Sequence, residues 1–157
     1  KTALPKLRES RGRIVFISSA ASVFSIPFQS FYSATKAAQE AVSFALLNEL
    51  KPFGISACAI RLGDVKTGFP AARQKDFAGD DVYGGAIARS VAVMESDETN
   101  GMRPEYVAQQ IVRIAQKKHL PAVATVGGKY KVFCLLQKVL PAGLVNKIVG
   151  MMYMPKK

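Results

Sequence analysis

The chain has 157 residues, enough for one domain, and 49% of them are hydrophobic, an ordinary share for a chain with a packed core. Its 22 Lys and Arg against 11 Asp and Glu give a formal net charge of +11, but no nucleic-acid-binding module or aromatic stacking pattern accompanies the cations, so no nucleic-acid partner is expected. A single histidine, His119, and two cysteines in apolar surroundings, Cys58 and Cys134, argue against a metal site and for two buried free thiols in a reducing compartment. No apolar run is long enough to cross a bilayer and no secretory signal opens the chain, so a cytoplasmic location is expected.

Thr2 to Ser10 reads as the end of a helix, with Leu4-Pro5-Lys6-Leu7 in its last turns, and Arg11-Gly12-Arg13 as a turn in which Gly12 can take positive φ. Ile14 to Ser19 is an apolar, β-branched run ending in small residues, the pattern of a strand buried on both faces of a parallel sheet. Ala20 to Gln29 is a loop whose Phe24, Ile26 and Phe28 fit either the wall of an apolar pocket or ordinary packing. Ser30 to Lys51 is rich in Ala and Leu, contains no Gly or Pro, and predicts a long helix stopped by Pro52 and Gly54. Its Ala34, Ala37, Ala38, Ala41 and Ala45 admit a second backbone at close range, with the sheet accounting for some of them.

Ile55 to Arg61 predicts the next strand, turned at Leu62-Gly63. Asp64 to Asp81 is polar and fits a mobile lid or a plain surface loop. Val82 to Met94 has rough helical spacing, Glu95 to Gly101 reads as an acidic turn, and Pro104 to Lys118 is a stronger helix with an apolar stripe at Val107, Ile111, Ile114 and Ala115. Ala122 to Val126 is a third strand ending at Gly127-Gly128. Tyr130 to Met154 divides at Pro141 into two helices with apolar faces. No acidic residue follows Glu105, while lysines continue to Lys157. An apolar face with a purely basic polar face fits a peripheral membrane contact or an acyl-chain groove. It fits, more simply, a helix pair that covers a substrate site or a partner subunit.

Tyr32 and Lys36 lie at i and i+4, on one face of the long helix. A phenol and an ammonium titrate near 10 and 10.4 respectively when unperturbed, and a cation close to a phenol favours the phenolate. Such a tyrosine can exchange a proton with an alcohol or carbonyl oxygen. Ser19, at the strand end, could hydrogen-bond that oxygen as charge builds on it. Alone, a Tyr-Lys pair at this spacing is a common surface pair and Ser-Ser after a strand is a common turn. The ordered series of strand, Ser-Ser, loop, Tyr-x-x-x-Lys on an Ala-rich helix and second apolar strand is more specific.

That series, carried by Gly12-Arg13-Ile14-Val15-Phe16-Ile17-Ser18-Ser19, Tyr32-Ser33-Ala34-Thr35-Lys36 and Ile60-Arg61-Leu62-Gly63-Asp64-Val65-Lys66-Thr67-Gly68-Phe69, resembles the C-terminal half of a short-chain dehydrogenase/reductase. The resemblance implies an α/β fold: the C-terminal portion of a Rossmann-like doubly wound parallel sheet, with about three strands and flanking helices. It assigns residues 1–128 to half of a catalytic domain, leaving 129–157 as a basic amphipathic helical tail. By similarity Tyr32 is the general acid/base, Lys36 favours its ionised form and binds the nicotinamide ribose hydroxyls, and Ser19 holds the substrate oxygen. Gly63, Val65 and Thr67 fall at cofactor-binding positions, the last two beside the nicotinamide carboxamide. The implied cofactor is NAD or NADP, the implied partners a small carbonyl or alcohol substrate and a second copy of the chain packed on the long helix. Leu62-Gly63 stands where the family usually has Pro-Gly, and the family's glycine-rich nucleotide turn and catalytic Asn have no counterpart here. The nucleotide-binding half is therefore expected outside these residues, which by themselves are expected to be inactive and to expose Ile14 to Ser19 as a sheet edge. The alternative is a non-catalytic relative acting as a binding or membrane-surface protein.

Overall fold

The computed structural model describes residues 2–154. Three strands, β1 (Arg13–Ser19), β2 (Ser56–Leu62) and β3 (Val123–Val126), form a parallel sheet in the order β1-β2-β3. The register sets Ser19 opposite Leu62 and Leu62 opposite Val126, so all three strands end in one row. The crevice beyond the carboxyl ends of such strands is where α/β sheets hold ligands. β1 has no neighbour on its outer side among the described residues, as expected of an edge strand.

β2 is central and buried on both faces. Cys58 and Ile60 pack with Val107, Ile114 and Val126 in the main apolar cluster. Val107 and Ile114 come from α5 (Pro104–Ala115), whose apolar stripe is the clearest in the chain. Arg13, at the start of β1, donates from Nη1 to the carbonyls of Ala115 and Lys117, both at 2.6 Å, placing a cation at the carboxyl end of α5. Cys58 and Cys134 are buried free thiols.

The other face of β2 packs on α2 (Ser30–Glu49), and here the interface is polar. The helix turns Ser33, Glu40 and Ser43 inward, while all five of its small alanines are exposed, so the sheet accounts for none of them. Arg61 meets Glu40 with both ends of its guanidinium fork: Nε donates to Oε1 at 2.9 Å and Nη2 to Oε2 at 2.6 Å. Ser18, opposite Arg61 across the β1–β2 ladder, donates to Glu40 Oε1 at 3.1 Å, and Ser22 donates to the same oxygen. Burial alone would raise the carboxyl pKa. The Arg61 and Ser22 hydrogen bonds, the Arg61 charge and the Ser18 bond outweigh it and hold Glu40 below its usual range.

Element boundaries shift where local chemistry overrides pattern. α1 (Leu4–Ser10) begins rather than ends at Leu4-Pro5, since a first-turn proline surrenders an N–H with no helical acceptor. Arg11, not Gly12, takes the left-handed conformation, with φ 48°. A Cβ at Gly12 would lie 2.7 Å from Leu7 Cδ2, the movable end of that side chain, so the glycine is favoured here rather than required. α2 stops at Glu49, and Lys51–Phe53 form a 3-10 turn closed by Gly54 at φ 68°. α4 (Ala86–Thr99) starts after the left-handed Gly84 and Gly85 and runs through the stretch expected to be an acidic turn. Its carboxylates are tied to cations from elsewhere: Glu95 to Lys75 at 2.7 Å, Glu98 to Arg73 at 2.6 Å and Asp97 to Lys129 at 3.7 Å. The 64–81 segment holds a short helix, α3 (Phe69–Ala72), and Val65 pairs with Met102 as a bridge. The tail forms α6 (Gly128–Val139) and α7 (Ala142–Tyr153), broken at Pro141 as the sequence predicts. Among the described residues no helix is long and apolar enough to cross a membrane.

Candidate active site

A cavity of about 860 Å³ opens beyond the carboxyl ends of β1 and β2. Ser19, Tyr32, Lys36, Gly63, Val65 and Thr67 all line it. Each arrives by a different local device. Ser19 ends β1 and caps the following 3-10 turn, its Oγ accepting from the Ala21 N–H at 3.1 Å. That contact uses a lone pair, so the hydroxyl hydrogen remains free to donate. Tyr32 lies in the first turn of α2 and is 42% exposed, with its phenol on the cavity wall. Lys36, one turn on, directs Nζ to the Ile17 carbonyl at 3.0 Å and to Gln39 Oε1 at 3.4 Å, with the ammonium 5.7 Å from the Tyr32 ring centroid. An ammonium has three donors, so one remains for a hydroxyl in the cavity.

Beyond β2, the Val65–Met102 bridge is bonded on either side of Val65: Met102 N–H donates to the Asp64 carbonyl at 2.9 Å and Lys66 N–H to the Met102 carbonyl at 2.9 Å. This pairing leaves the peptide groups of Val65 itself unused. Thr67 Oγ1 accepts from the Phe69 N–H at 3.2 Å, stopping the chain into α3. Tyr32, Lys36, Thr67 and the Val65 backbone are thus the groups that could hold ribose hydroxyls and a carboxamide, and their donors and acceptors suit that half of a nicotinamide nucleotide.

Gly63 follows the end of β2. It has no left-handed φ; its use is close approach. A Cβ would lie 1.9 Å from Cε2 of Tyr130, so the ring can sit this close to residue 63 only because it is glycine. Tyr130 in turn donates its hydroxyl to Asp64. Burial raises the Asp64 carboxyl above its usual range despite that bond. Burial and the neighbouring Asp64 push the Tyr130 phenol well up, and burial with the Asp64 and Asp97 charges does the same to Tyr153. Sequence reasoning did not single out Asp64 or Tyr130 as a pair. The signal available was an acid directly after a strand-ending glycine, but its partner lies 66 positions away.

Much of the rest of the wall is apolar, with Arg73, Lys75, Asp76, Glu98 and Lys129 also on it. Phe24, Ile26 and Phe28 all line the cavity, as one of the two readings of their loop has it. Phe28 is a bulky residue at φ 60°, a conformation that costs about 1–2 kcal/mol, and its ring packs edge-on to Tyr83 with centroids 5.5 Å apart. The roof comes from the tail: Phe133 meets Phe24 edge-on at 6.4 Å, and Leu136, Val149 and Met152 also face inward. The helix pair therefore covers the cavity that holds Tyr32, one of the arrangements its sequence allowed.

The family model described as short chain dehydrogenase matches residues 1–77. A 3-ketodihydrosphingosine reductase of Bacteroides thetaiotaomicron is 35% identical over 157 residues, which cover 98% of this chain and 58% of that protein. The crystal structure of a short-chain dehydrogenase from Streptomyces avermitilis matches with a TM-score of 0.64 and 28% identity over 87% of this chain and 50% of that one. The chain belongs to the short-chain dehydrogenase/reductase family. It spans about half the length of these relatives. A serine dehydrogenase complexed with NADP+ shares the fold, with a TM-score of 0.61 and 24% identity over 80% of this chain and 48% of its own. In this short-chain dehydrogenase/reductase the family match ends at residue 77, so the roof helices α6 and α7 lie beyond it.

Proposed function

We propose that the protein carrying this chain is an NAD- or NADP-dependent oxidoreductase that interconverts a carbonyl and an alcohol, with Tyr32 as general acid/base. The observation that supports this reading is that Ser19, Tyr32 and Lys36 line the same cavity at the carboxyl ends of the strands. Bound nicotinamide supplies or accepts the hydride. Ser19 donates its free hydrogen to the substrate oxygen and orients it. Tyr32 gives that oxygen a proton as carbon is reduced, or removes one in the reverse direction. Lys36, anchored by the Ile17 carbonyl, keeps a positive charge beside the phenol and offers its remaining donor to a ribose hydroxyl. Gly63, Val65 and Thr67 border the nicotinamide end.

The cavity is at the upper end of the range for small-molecule sites and largely apolar, which favours a carbonyl carried on a long hydrocarbon portion. The relative named 3-ketodihydrosphingosine reductase is consistent with that class. The test is turnover by the natural full-length protein with reduced NAD or NADP and a chain-length series of ketones. Long-chain ketones should be reduced with the higher kcat/KM, and a preference for short polar ketones would sink the substrate class. We assign residues 1–128 to the C-terminal half of a catalytic domain and 129–157 to a basic amphipathic tail. A second copy is proposed to pack on the exposed alanine face of α2, where Phe31 is 88% exposed. Sedimentation velocity should then show dimers or larger species, and a monomer at micromolar concentration would refute the packing.

A further inference from the structure

The outer side of the tail carries exposed apolar residues, and every charged side chain of α6 and α7 is a lysine. On α6 the outward stripe runs through Val132, Leu135 and Val139, which are 54%, 64% and 72% exposed. On α7 it runs through Leu144 and Met151, 44% and 61% exposed. Lys131, Lys138 and Lys147 are interleaved with these residues and pair with no carboxylate among the described residues. Beside α6 runs a second cleft of about 570 Å³, between that helix and α5, into which Arg113, Lys117, Lys131 and Lys138 project. Its lining includes no acidic residue.

Such a face leaves leucine, valine and methionine side chains in water beside cations that no carboxylate among the described residues neutralises. Exposed leucine and valine gain by entering an acyl layer, and unpaired lysines gain beside anionic headgroups. A soluble protein partner would supply one or the other only by a matched patch. An anionic bilayer supplies both together, with apolar chains beneath negative charge.

We propose that α6 and α7 dock the protein peripherally on anionic lipid membranes, with Val132, Leu135, Val139, Leu144 and Met151 entering the interface and Lys131, Lys138 and Lys147 meeting the headgroups. The docking rests on this face alone and stands or falls independently of the oxidoreductase reading. The experiment is co-sedimentation of the natural full-length protein with vesicles of phosphatidylcholine, with or without phosphatidylglycerol. Binding should require phosphatidylglycerol and weaken as salt rises. Replacing the three lysines together (Lys131→Gln, Lys138→Gln, Lys147→Gln) should lower the partition coefficient on the order of a hundredfold. Leu135→Asp with Val139→Asp should lower it as well. These side chains are exposed, so unchanged circular dichroism and melting are expected for both variants. Binding to neither vesicle at low salt, equal binding to both, or lysine variants that bind like the wild type would each overturn the proposal. So would variants that dissociate an oligomer without changing vesicle binding, which would make this face a contact between copies.

Discussion

Tyr32→Phe in the natural full-length protein should lower kcat/KM for ketone reduction by about 10²–10⁴-fold, the range that general acid/base groups supply. The change removes one hydroxyl that makes no hydrogen bond holding the fold. The ring remains against the Lys36 ammonium, and the α2 backbone keeps its own contacts, including Thr35 Oγ1 to the Tyr32 carbonyl at 2.7 Å. Melting temperature should therefore stay within a degree or two, roughly the effect of a surface substitution. Binding of the reduced nucleotide should fall far less than turnover, because Lys36, Thr67 and Val65 remain. Steady-state kinetics with nucleotide titration separate the two effects. Turnover that survives the substitution would remove Tyr32 from the mechanism, and loss of turnover with loss of melting would leave the role unproven by this variant, in which case Tyr32→His, retaining a titratable group, should restore a part of the activity with a shifted pH optimum.

Arg61→Met should cost about 3–5 kcal/mol of stability near neutral pH, because it strands the Glu40 carboxylate between α2 and the sheet without its cation. The pH dependence identifies the cause. In the wild type the Glu40 carboxyl titrates below its ordinary value of 4.5, so its contribution to stability is present above that value and lost as pH falls through the lower folded-state value. In the variant the Ser18 and Ser22 bonds remain but the cation is gone, and burial, the largest influence on Glu40, then raises the carboxyl. The variant should thus recover part of its deficit as pH is lowered from about 7 to about 5, where protonation relieves the buried charge. Chemical denaturation at the two pH values reads this directly. A deficit that is constant with pH would mean the loss is one of packing and not of an unpaired charge. Glu40→Met with Arg61→Met should restore most of the stability, since a buried ion pair is commonly replaceable by apolar side chains of similar size.

The two experiments probe the same helix from opposite faces of its function. α2 carries Tyr32 and Lys36 toward the cavity and Ser33, Glu40 and Ser43 toward the sheet. Its spacing in the sequence made the first pair legible, because i and i+4 share a face in any helix. The second set was read only as part of a helix with some of its alanines packed on the sheet. The structure reverses that: the alanines face outward and the carboxylate faces inward. The reason is Arg61, whose charge must be matched once β2 is buried on both sides, and Glu40 is the acid that the register of α2 on β2 brings to it.

Strand and helix order, the Pro141 break, and the row of Ser19, Tyr32 and Lys36 were all determined by the sequence itself. They depend on local periodicity, on proline and glycine, and on spacings of a few residues, all of which the chain carries without reference to its partners. The roof of the cavity, the Tyr130 ring over Gly63, the Asp64 hydrogen bond and the extension of α4 through Glu95 and Glu98 were decided only in three dimensions. Each joins residues distant in the chain, such as Asp64 with Tyr130 or Arg73 with Glu98. An apolar stripe or an acid run states that a residue needs company. Which neighbour supplies it depends on how the helices close over the ends of the strands.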